Sequence, residues 1–272
     1  MLVQLAYGKI GYSVELPEED VTILNPSDLP AIPDPYGATL EAIRTPLGDH
    51  SLRHLIASND TLAIYLGDLD KQISTPFILS CLMRDLSHVP NNQIQIIFNY
   101  SELRADPYAR LYKMNMGDLF DGIQVFNHNP LDRSELVDTK GSYQDVPVLL
   151  NKVWMGSSKK ITIGLVKPHP FIGFTGGYDL IVPGLAGIDT ISHIYNDPII
   201  LNTDFLRQPT KDNPLQHFHS ALSKSGRSDF NINFTTNNQG RMTSVFAGQL
   251  PETFIACKEI TQRASLVDVG EL

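Results

Sequence analysis

Cysteine is scarce in this chain, and its scarcity excludes two kinds of protein. The 272 residues contain only Cys81 and Cys257, which lie far apart in the sequence. A small secreted domain held by disulfides needs several cysteines, and a structural zinc site needs closely spaced ligand pairs. The sequence therefore predicts no disulfide framework and no metal site. A reducing cytoplasm is the compartment that fits best.

Long apolar runs and an excess of positive charge are also lacking. No run approaches the ~20 residues that span a bilayer, and Met1 to Lys9 lack the basic and apolar regions of a signal peptide. The chain carries 30 Asp and Glu against 21 Lys and Arg, a net charge of −9. A nucleic-acid surface needs clustered cations to neutralise phosphates. We therefore expect a cytoplasmic protein that binds neither membranes nor nucleic acids.

The chain does contain an alternation of apolar runs and amphipathic segments. Runs with the length and β-branched content of buried strands occur at residues 61–66, 93–98, 122–126, 161–166, 230–235 and 242–246. Apolar residues recur at helical spacing at residues 37–43, 76–86, 107–116, 215–225 and 251–264. This alternation is typical of an α/β fold with a mostly parallel sheet and helices on both faces.

The N-terminal residues differ from this pattern. Apolar side chains alternate with other residues over 3–7 and again over 12–16, with Gly8 and Gly11 between them, which predicts a β-hairpin within residues 1–25. Four prolines between residues 26 and 35 exclude a helix or a central strand, so this stretch is a connector. We predict one domain over residues 1–272, with the hairpin followed by an α/β core at 36–272.

Polar side chains at the ends of the predicted strands are candidates for a site, because ligands of parallel sheets bind at the carboxyl ends of strands. Titratable side chains follow four of the strands: Asp68 with Lys71, Glu102, His128, and Lys167 with His169. These four strand ends could converge on one crevice.

Residues 164–184 hold the densest mixture of glycine, proline, histidine and aromatic residues. Pro168 ends the preceding strand because proline lacks a backbone donor. Gly176 and Gly177 permit backbone angles closed to other residues, so with Thr175 they could form a tight turn whose N–H groups bind an anion. A strand-to-helix connection without a ligand has the same composition, and from composition alone both interpretations stay open.

The same segment resembles the N-terminal domain of the nickel-dependent lactate racemase family (LarA). The resemblance lies in Lys167-Pro168-His169-Pro170-Phe171-Ile172-Gly173-Phe174-Thr175-Gly176-Gly177, in Val182-Pro183-Gly184, in Tyr7-Gly8-Lys9 with Leu16-Pro17, in Asn213-Pro214, and in Val245-Phe246-Ala247-Gly248. It covers nearly the whole chain in the family's order and implies a Rossmann-like domain. In the family a smaller C-terminal lobe closes over a 2-hydroxy acid. No such lobe follows here, so we expect another polypeptide or another copy to supply it, or the site to stay open.

Taken position by position, the resemblance implies roles for individual residues. Asp68 matches an aspartate that contacts substrate in the family, and Lys71 stands where the family has an arginine. Lysine is a point charge rather than a planar fork, so it would bind a carboxylate less directionally. Glu102 falls near the family's first acid/base histidine, and His169 matches the second.

The resemblance also locates the family's cofactor positions. The family attaches a pyridinium pincer cofactor to a lysine, and that position is Asp179 here. The family's nickel-binding histidine falls on Tyr195, although His193 lies two residues earlier and could substitute. An aspartate offers no amine, so we expect no covalently held nickel-pincer cofactor. His217 and His219 point in different directions on a helix, and we interpret them as structural or exposed.

Each candidate also has a structural alternative. His169 could be a loop histidine bonded to a backbone carbonyl, while Asp68 and Glu102 could be solvated surface carboxylates. Asp179 could cap a following helix, since aspartate suits a helix N-terminus. His128 could be a turn histidine.

Two classes of function stay open, with a third less favoured. The leading hypothesis is an enzyme that acts on a small anionic substrate by proton transfer next to a carboxylate, with His169 and Glu102 as acid/base groups, Lys71 and Lys167 as anion anchors, and Asp68 orienting a hydroxyl. The second is a non-catalytic or half-site subunit, as a homo-oligomer or with a chain carrying the missing lobe. The third is an anion binder that uses only the glycine turn.

Overall fold

The computed structural model describes residues 1–8, 10–21, 24, 26–48, 50–67, 75–99, 121–143, 145–195 and 214–267. The strands are β1 (Leu2–Leu5), β2 (Tyr12–Glu15), β3 (Leu62–Leu66), β4 (Ile94–Asn99), β5 (Gln124–His128), β6 (Leu136–Tyr143), β7 (Val146–Asn151), β8 (Lys159–Leu165), β9 (Pro168–His169), β10 (Gly173–Phe174), β11 (Phe230–Thr236) and β12 (Met242–Gly248). The helices are α1 (Pro35–Arg44), α2 (Leu52–Leu55), α3 (Thr75–Asp85), α4 (Lys152–Gly156), α5 (Ile188–Ile194), α6 (Pro214–Ser223) and α7 (Glu252–Ser265). Short 3₁₀ helices lie at Glu18–Asp20, Asn91–Gln93, Arg133–Glu135, Gly177–Leu180 and Lys224–Gly226.

The central sheet confirms the predicted fold class. Its six strands are ordered β12-β11-β8-β3-β4-β5. The pairs β11–β8, β8–β3, β3–β4 and β4–β5 are parallel, and only the edge strand β12 is antiparallel to its neighbour. The carboxyl ends of the five parallel strands therefore meet at one edge of the sheet.

Strand β3 shows why the sheet is covered on both faces. Leu62, Ile64 and Leu66 pack into one buried cluster with side chains of α1 and α3. Ala63 and Tyr65 point the other way, into a second cluster with side chains of α4, α5 and α6. Full burial of each large aliphatic side chain contributes about 1.5–3 kcal/mol to the free energy of folding. Packing on both faces therefore stabilises β3 and fixes the position of its carboxyl end.

In the described part of the chain, three antiparallel strand pairs accompany the sheet: β1–β2, which was predicted, the short pair β9–β10, and β6–β7, which was not predicted. The predicted N-terminal hairpin is present as β1 and β2, with Leu5 opposite Tyr12. The unpredicted hairpin is β6 with β7, and it packs beside the cluster that contains Tyr65. Its backbone is irregular, because Lys140 and Asp145 adopt positive φ angles of 57° and 64°. These positions use no glycine, so the sequence carries no clear hairpin signal there.

Other predictions differ from the structure in detail or cannot be compared. The residues after Gly177 form a short 3₁₀ helix rather than an α-helix, and Asp179 lies in its first turn, where an aspartate favours a helix N-terminus. The helix predicted at 107–116 lies outside the described residues. The single domain over residues 1–272 stays a prediction. Within the described residues, no helix combines the length and apolar character needed to cross a bilayer.

Candidate functional site

The candidate site lies just beyond the end of β8. After Leu165 the chain leaves the sheet, with the N–H of Val166 donating to the carbonyl of Phe234 at 2.8 Å. The short strands β9 and β10 then pair antiparallel, with His169 opposite Gly173. Gly173 has a φ of 80°, a backbone conformation that glycine adopts without strain. The tight return holds His169 close to the strand end.

Thr175 fixes this loop from within. Its hydroxyl donates to the carbonyl of Leu165 at 2.9 Å and accepts the N–H of Lys167 at 3.1 Å. Its own N–H donates to the carbonyl of Lys167 at 2.9 Å. The hydroxyl proton is therefore used inside the protein, and Thr175 positions Lys167 rather than offering that proton to a ligand.

A cavity of about 330 Å³ opens at this place and brings six of the predicted site residues together. Its lining includes Lys167, His169, Thr175, Gly176, Asp179 and Tyr195. Tyr65 also lines it, although the sequence gave no reason to name this residue, and its hydroxyl donates to the carbonyl of Gly184 at 3.0 Å. Strand periodicity alone would assign Tyr65 to the core.

His169 has one ring nitrogen engaged by the backbone. Its Nδ1 accepts the N–H groups of Phe171 and Ile172, at 3.2 and 3.3 Å. A nitrogen that accepts hydrogen bonds carries no proton, so the neutral ring bears its proton on Nε2. Burial, and secondly the positive charge of Lys167, lower the pKa of His169 below its usual 6.5. At neutral pH the ring is thus an uncharged donor, and Nε2 makes no hydrogen bond to a described residue.

Asp179 and Tyr195 form another part of the cavity wall. Burial, and secondly the negative charge of Asp179, raise the pKa of the Tyr195 hydroxyl well above its usual 10.0. Tyr195 is therefore a protonated phenol across the physiological range, able to donate a hydrogen bond. The carboxylate and the phenol give this side of the cavity acidic rather than basic character.

His219, interpreted from sequence as structural or exposed, lies behind this wall. Its ring meets that of Tyr195 edge to face, with ring centroids 6.0 Å apart. Only 1 % of the residue is exposed, and burial, with a smaller effect of His169, lowers its pKa to about 3. No described residue hydrogen-bonds its Nε2. The sequence could not reveal this position, because long-range packing brings α6 to the site.

The glycine turn is tighter and less open than predicted. The N–H of Gly177 donates to Oδ1 of Asn233 at 3.1 Å, and the N–H of Thr175 is also used inside the loop. A β-carbon at Gly177 would lie 2.7 Å from Cγ of Phe254. Gly177 is thus a packing position, and the predicted anion turn is wrong for these two N–H groups.

Two other predicted histidines lie away from the cavity. His128 is 1 % exposed, with Nε2 2.9 Å from the carbonyl of Ala186 and Nδ1 3.2 Å from Nδ2 of Asn151. Both of its nitrogens are satisfied inside the protein. His193 lines a separate cavity of about 540 Å³, with Nδ1 2.7 Å from the carbonyl of Asp189.

Three predicted site residues, Asp68, Lys71 and Glu102, lie outside the described residues. The strands that precede them, β3 and β4, end at the same sheet edge as β8. In the described part of the chain, no group of three or more His, Cys, Asp or Glu side chains could hold a metal ion.

Comparisons with known proteins agree with this architecture. The model of the lactate racemase N-terminal domain matches residues 7–233. Lactate racemase of Lactiplantibacillus plantarum is 21% identical over 228 residues, which cover 83% of this chain and 54% of that protein. Lactate racemase of Thermoanaerobacterium thermosaccharolyticum is 20% identical over 271 residues, which cover 97% of this chain and 63% of that protein. The chain therefore spans less than two thirds of the length of these relatives.

A solved structure shows the same fold. The lactate racemase apoprotein of Thermoanaerobacterium thermosaccharolyticum superimposes with a TM-score of 0.71 at 18% identity, over 97% of this chain and 63% of that one. A protein from Thermotoga maritima superimposes with a TM-score of 0.62 at 15% identity, over 83% of this chain and 57% of that one. At such identity the likeness concerns the fold alone. The family match over residues 7–233 includes β8, the loop of His169 and the cavity wall at Tyr195, and on this ground the chain belongs to the lactate racemase N-terminal domain family.

Proposed function

We propose that this chain acts on a small 2-hydroxy acid or related carboxylate by proton transfer, as a racemase- or epimerase-type protein. The observation that carries the proposal is the shared cavity of His169 and Lys167, in which a neutral imidazole donor lies beside a cation. Family membership supports a racemase relationship, and the name lactate racemase of the relatives supports a small hydroxy acid as the substrate. The cavity of about 330 Å³ is of a size that suits a small ligand.

The donor and the cation suit chemistry next to a carboxylate. Removal of a proton from the carbon beside a carboxylate places negative charge on the carboxylate oxygens. The ammonium of Lys167 would bind that group, and the Nε2–H of His169 would donate to an oxygen on which charge develops. Because the pKa of His169 is lowered, the ring stays neutral at neutral pH and keeps this donor role.

The proton itself needs a base, and the proposal assigns that role to Glu102. Glu102 would take the proton, Asp68 would orient the substrate hydroxyl and Lys71 would be a second anion anchor. Protonation of the opposite face of the carbon by a solvent water molecule would invert its configuration, and Glu102 would release the abstracted proton to the hydroxide that remains. A carboxylate inside a closed pocket can be tuned to this task by burial.

The residues that line the cavity do not fit a covalently attached nickel-pincer cofactor. At the attachment position Asp179 offers a carboxylate rather than an amine. At the nickel position Tyr195 offers a phenol that burial keeps protonated, instead of an imidazole. We therefore propose chemistry without that group. Intact-mass spectrometry of the purified protein tests this point, because a mass above that of the polypeptide would contradict it.

Deuterium exchange tests the proton-transfer proposal most directly. We expect the protein in heavy water to exchange the proton on the carbon that bears the hydroxyl, in at least one member of a series of short 2-hydroxy acids, measured by proton NMR. The His169→Ala variant should lose roughly 100-fold or more of the exchange rate, as expected for a donor to an oxygen on which charge develops, while its melting temperature stays nearly unchanged.

The matched control is His193→Ala, which removes an imidazole that lines a different cavity. This variant should exchange at the rate of the unaltered protein. Undiminished exchange in the His169 variant would remove His169 from the mechanism, and no exchange of any acid by the unaltered protein would contradict the proposed chemistry.

A second candidate function is that of a subunit whose site is completed by another chain. The coverage favours it, because the residues matched here amount to 54–63% of the lactate racemases. Light scattering after gel filtration, alone and with proteins encoded by neighbouring genes, separates the two candidates. A homogeneous assembly of this chain that performs the exchange would rule out the need for another chain.

A further inference from the structure

A second cavity lies on the other side of the Gly177–Leu180 helix from the candidate site. Asp179 and Leu180 line the first cavity, whereas Tyr178 and Ile181 line the second, which has a volume of about 420 Å³. Asp229, directly before β11, is part of the second cavity as well. The position of Asp229 places the second cavity towards the sheet edge at which β8 and β11 begin. His169 lies at the opposite edge, where β8 ends.

Two cations, Lys224 and Arg227, line this second cavity. Lys224 and Arg227 are exposed, and within the described residues neither forms an ion pair. Some other described cations are paired: Arg133 lies 2.5 Å from Asp189, and Lys140 lies 3.0 Å from Asp138.

The nearby carboxylates do not neutralise these two cations. Asp229 accepts the backbone N–H of Lys160 with Oδ2 at 2.9 Å, and its charge also acts on the Lys160 ammonium. Glu252 is close enough to contribute to the raised pKa of Tyr178, where burial is the main cause. Among the residues that line the cavity, the two cations Lys224 and Arg227 outnumber the single carboxylate of Asp229.

The backbone that carries the two cations is held firmly. The indole N–H of the buried Trp154 donates to the carbonyl of Gly226 at 2.7 Å. The hydroxyl of Ser223 donates to the carbonyl of Tyr178 at 2.9 Å. These bonds fix the Lys224–Gly226 turn from both sides, so the backbone that carries the cations needs little reordering to receive a ligand.

We propose that this cavity binds a small molecule that carries a phosphate group. A phosphate brings about two negative charges, which match two cations that form no ion pair with a described residue, and arginine can bind its oxygens through two parallel hydrogen bonds. The cavity volume of about 420 Å³ exceeds what a phosphate ion alone would fill and falls within the range usual for ligand sites. The proposal does not depend on the chemistry proposed for His169.

Binding can be measured by titration calorimetry with glycerol 3-phosphate and with inorganic phosphate. The unaltered protein should bind glycerol 3-phosphate saturably and at least as tightly as inorganic phosphate. A double variant, Lys224→Ala with Arg227→Ala, should bind it roughly tenfold or more weakly, because both charge-assisted contacts are lost. Acetate, with one charge, should compete poorly.

The matched control is the double variant Lys152→Ala with Arg263→Ala, which removes the same charge from exposed positions outside the cavity. It should bind as the unaltered protein does. Equal weakening in both double variants would reduce the effect to net charge and overturn the proposal, as would the absence of saturable binding. Tighter binding of inorganic phosphate than of glycerol 3-phosphate would overturn the assignment to a small organic molecule. Deuterium exchange at the first cavity is measured separately, so the two proposals can fail independently.

Discussion

His128 at the end of β5 and His169 just beyond β8 occupy comparable places, since each follows a parallel strand of the central sheet. Their surroundings differ. Both nitrogens of His128 are hydrogen-bonded, to the carbonyl of Ala186 and to the amide of Asn151. The backbone engages only Nδ1 of His169, and the ring lines a cavity. The sequence ranked both as candidates, but hydrogen bonding separates them.

The comparison shows how a histidine that can bind a ligand differs from one that only stabilises the fold. The first keeps a ring nitrogen without a hydrogen bond inside the protein, and the second does not. Around His128 the network is closed, because Asn151 uses its Oδ1 to accept the N–H groups of Val153 and Trp154 at the start of α4. A closed polar network of this kind stabilises the fold and has nothing left to offer a ligand. Nε2 of His169, which lines the cavity, makes no hydrogen bond to a described residue, and Nε2 of the buried His219 behind the cavity wall has no partner among the described residues.

The largest stability effect should follow from breaking the closed network. His128→Ala removes a buried ring and leaves the carbonyl of Ala186 and the amide of Asn151 without their partner. We expect a loss of about 2–4 kcal/mol in the free energy of unfolding, from the cavity and the orphaned polar groups. Urea denaturation at neutral pH measures this loss.

His169→Ala provides the matched comparison, since it removes the same side chain from the open site. Its two acceptor contacts, at 3.2 and 3.3 Å, are long, so its loss of stability should stay below about 1 kcal/mol. If the two alanine variants were destabilised equally, the distinction between a closed network and an open site would have no energetic basis.

Much of the fold follows from local sequence. Strand β3 is an example that was predicted, and the hairpin of β6 and β7 is an example that was not. The apolar run at 61–66 predicts β3 at Leu62–Leu66, because a strand buried on both faces must be apolar throughout. The second hairpin escaped prediction, because its register shifts between Asp138 and Ser142 and its positive φ angles fall on residues other than glycine. Irregular pairing of that kind leaves no alternation to recognise.

The site was predictable in part for a similar reason. Lys167, His169, Thr175 and Gly176 are neighbours in sequence, so their shared cavity follows from one loop at a strand end. The place of His219 depends on how a distant helix packs against that loop, and no spacing in the sequence encodes it.

The next effect concerns the pH dependence of stability, which the buried His219 should dominate in mildly acidic solution. The folded state lowers the pKa of His219 from 6.5 to about 3, whereas the unfolded chain restores it. Below 6.5 the unfolded state therefore binds the proton more readily, so stability is complete above this pH and falls as the solution becomes more acidic. Between about pH 7 and about pH 5 the loss should be about 2 kcal/mol.

Urea denaturation of His219→Gln at the two pH values checks this effect, because the comparison uses the change with pH rather than the absolute stability. The variant should lose most of the slope and keep a remainder, since burial also lowers the pKa values of His128 and His169. The control His193→Gln, which alters an exposed ring, should keep the full slope. An unchanged slope in His219→Gln would show that His219 is not buried as a neutral ring.

The smallest effect is a shift in the pKa of His169. Its measurement also shows which ring nitrogen of His169 carries the proton, and so tests the difference from His128 directly. Nitrogen NMR of labelled histidine should show the His169 Nδ1 as the bare nitrogen and Nε2 as the protonated one, since Nδ1 accepts two backbone N–H groups.

The midpoint of the His169 titration should lie below pH 6.5, because burial and then the charge of Lys167 disfavour the imidazolium and lower the pKa. Lys167→Gln removes the second cause, so the midpoint should rise. Lys140→Gln, in which the lost cation is one that pairs with Asp138, should leave it in place. A proton on Nδ1 of His169 would leave Nε2 as a bare acceptor, and the residue would then serve as a base towards substrate instead of a donor.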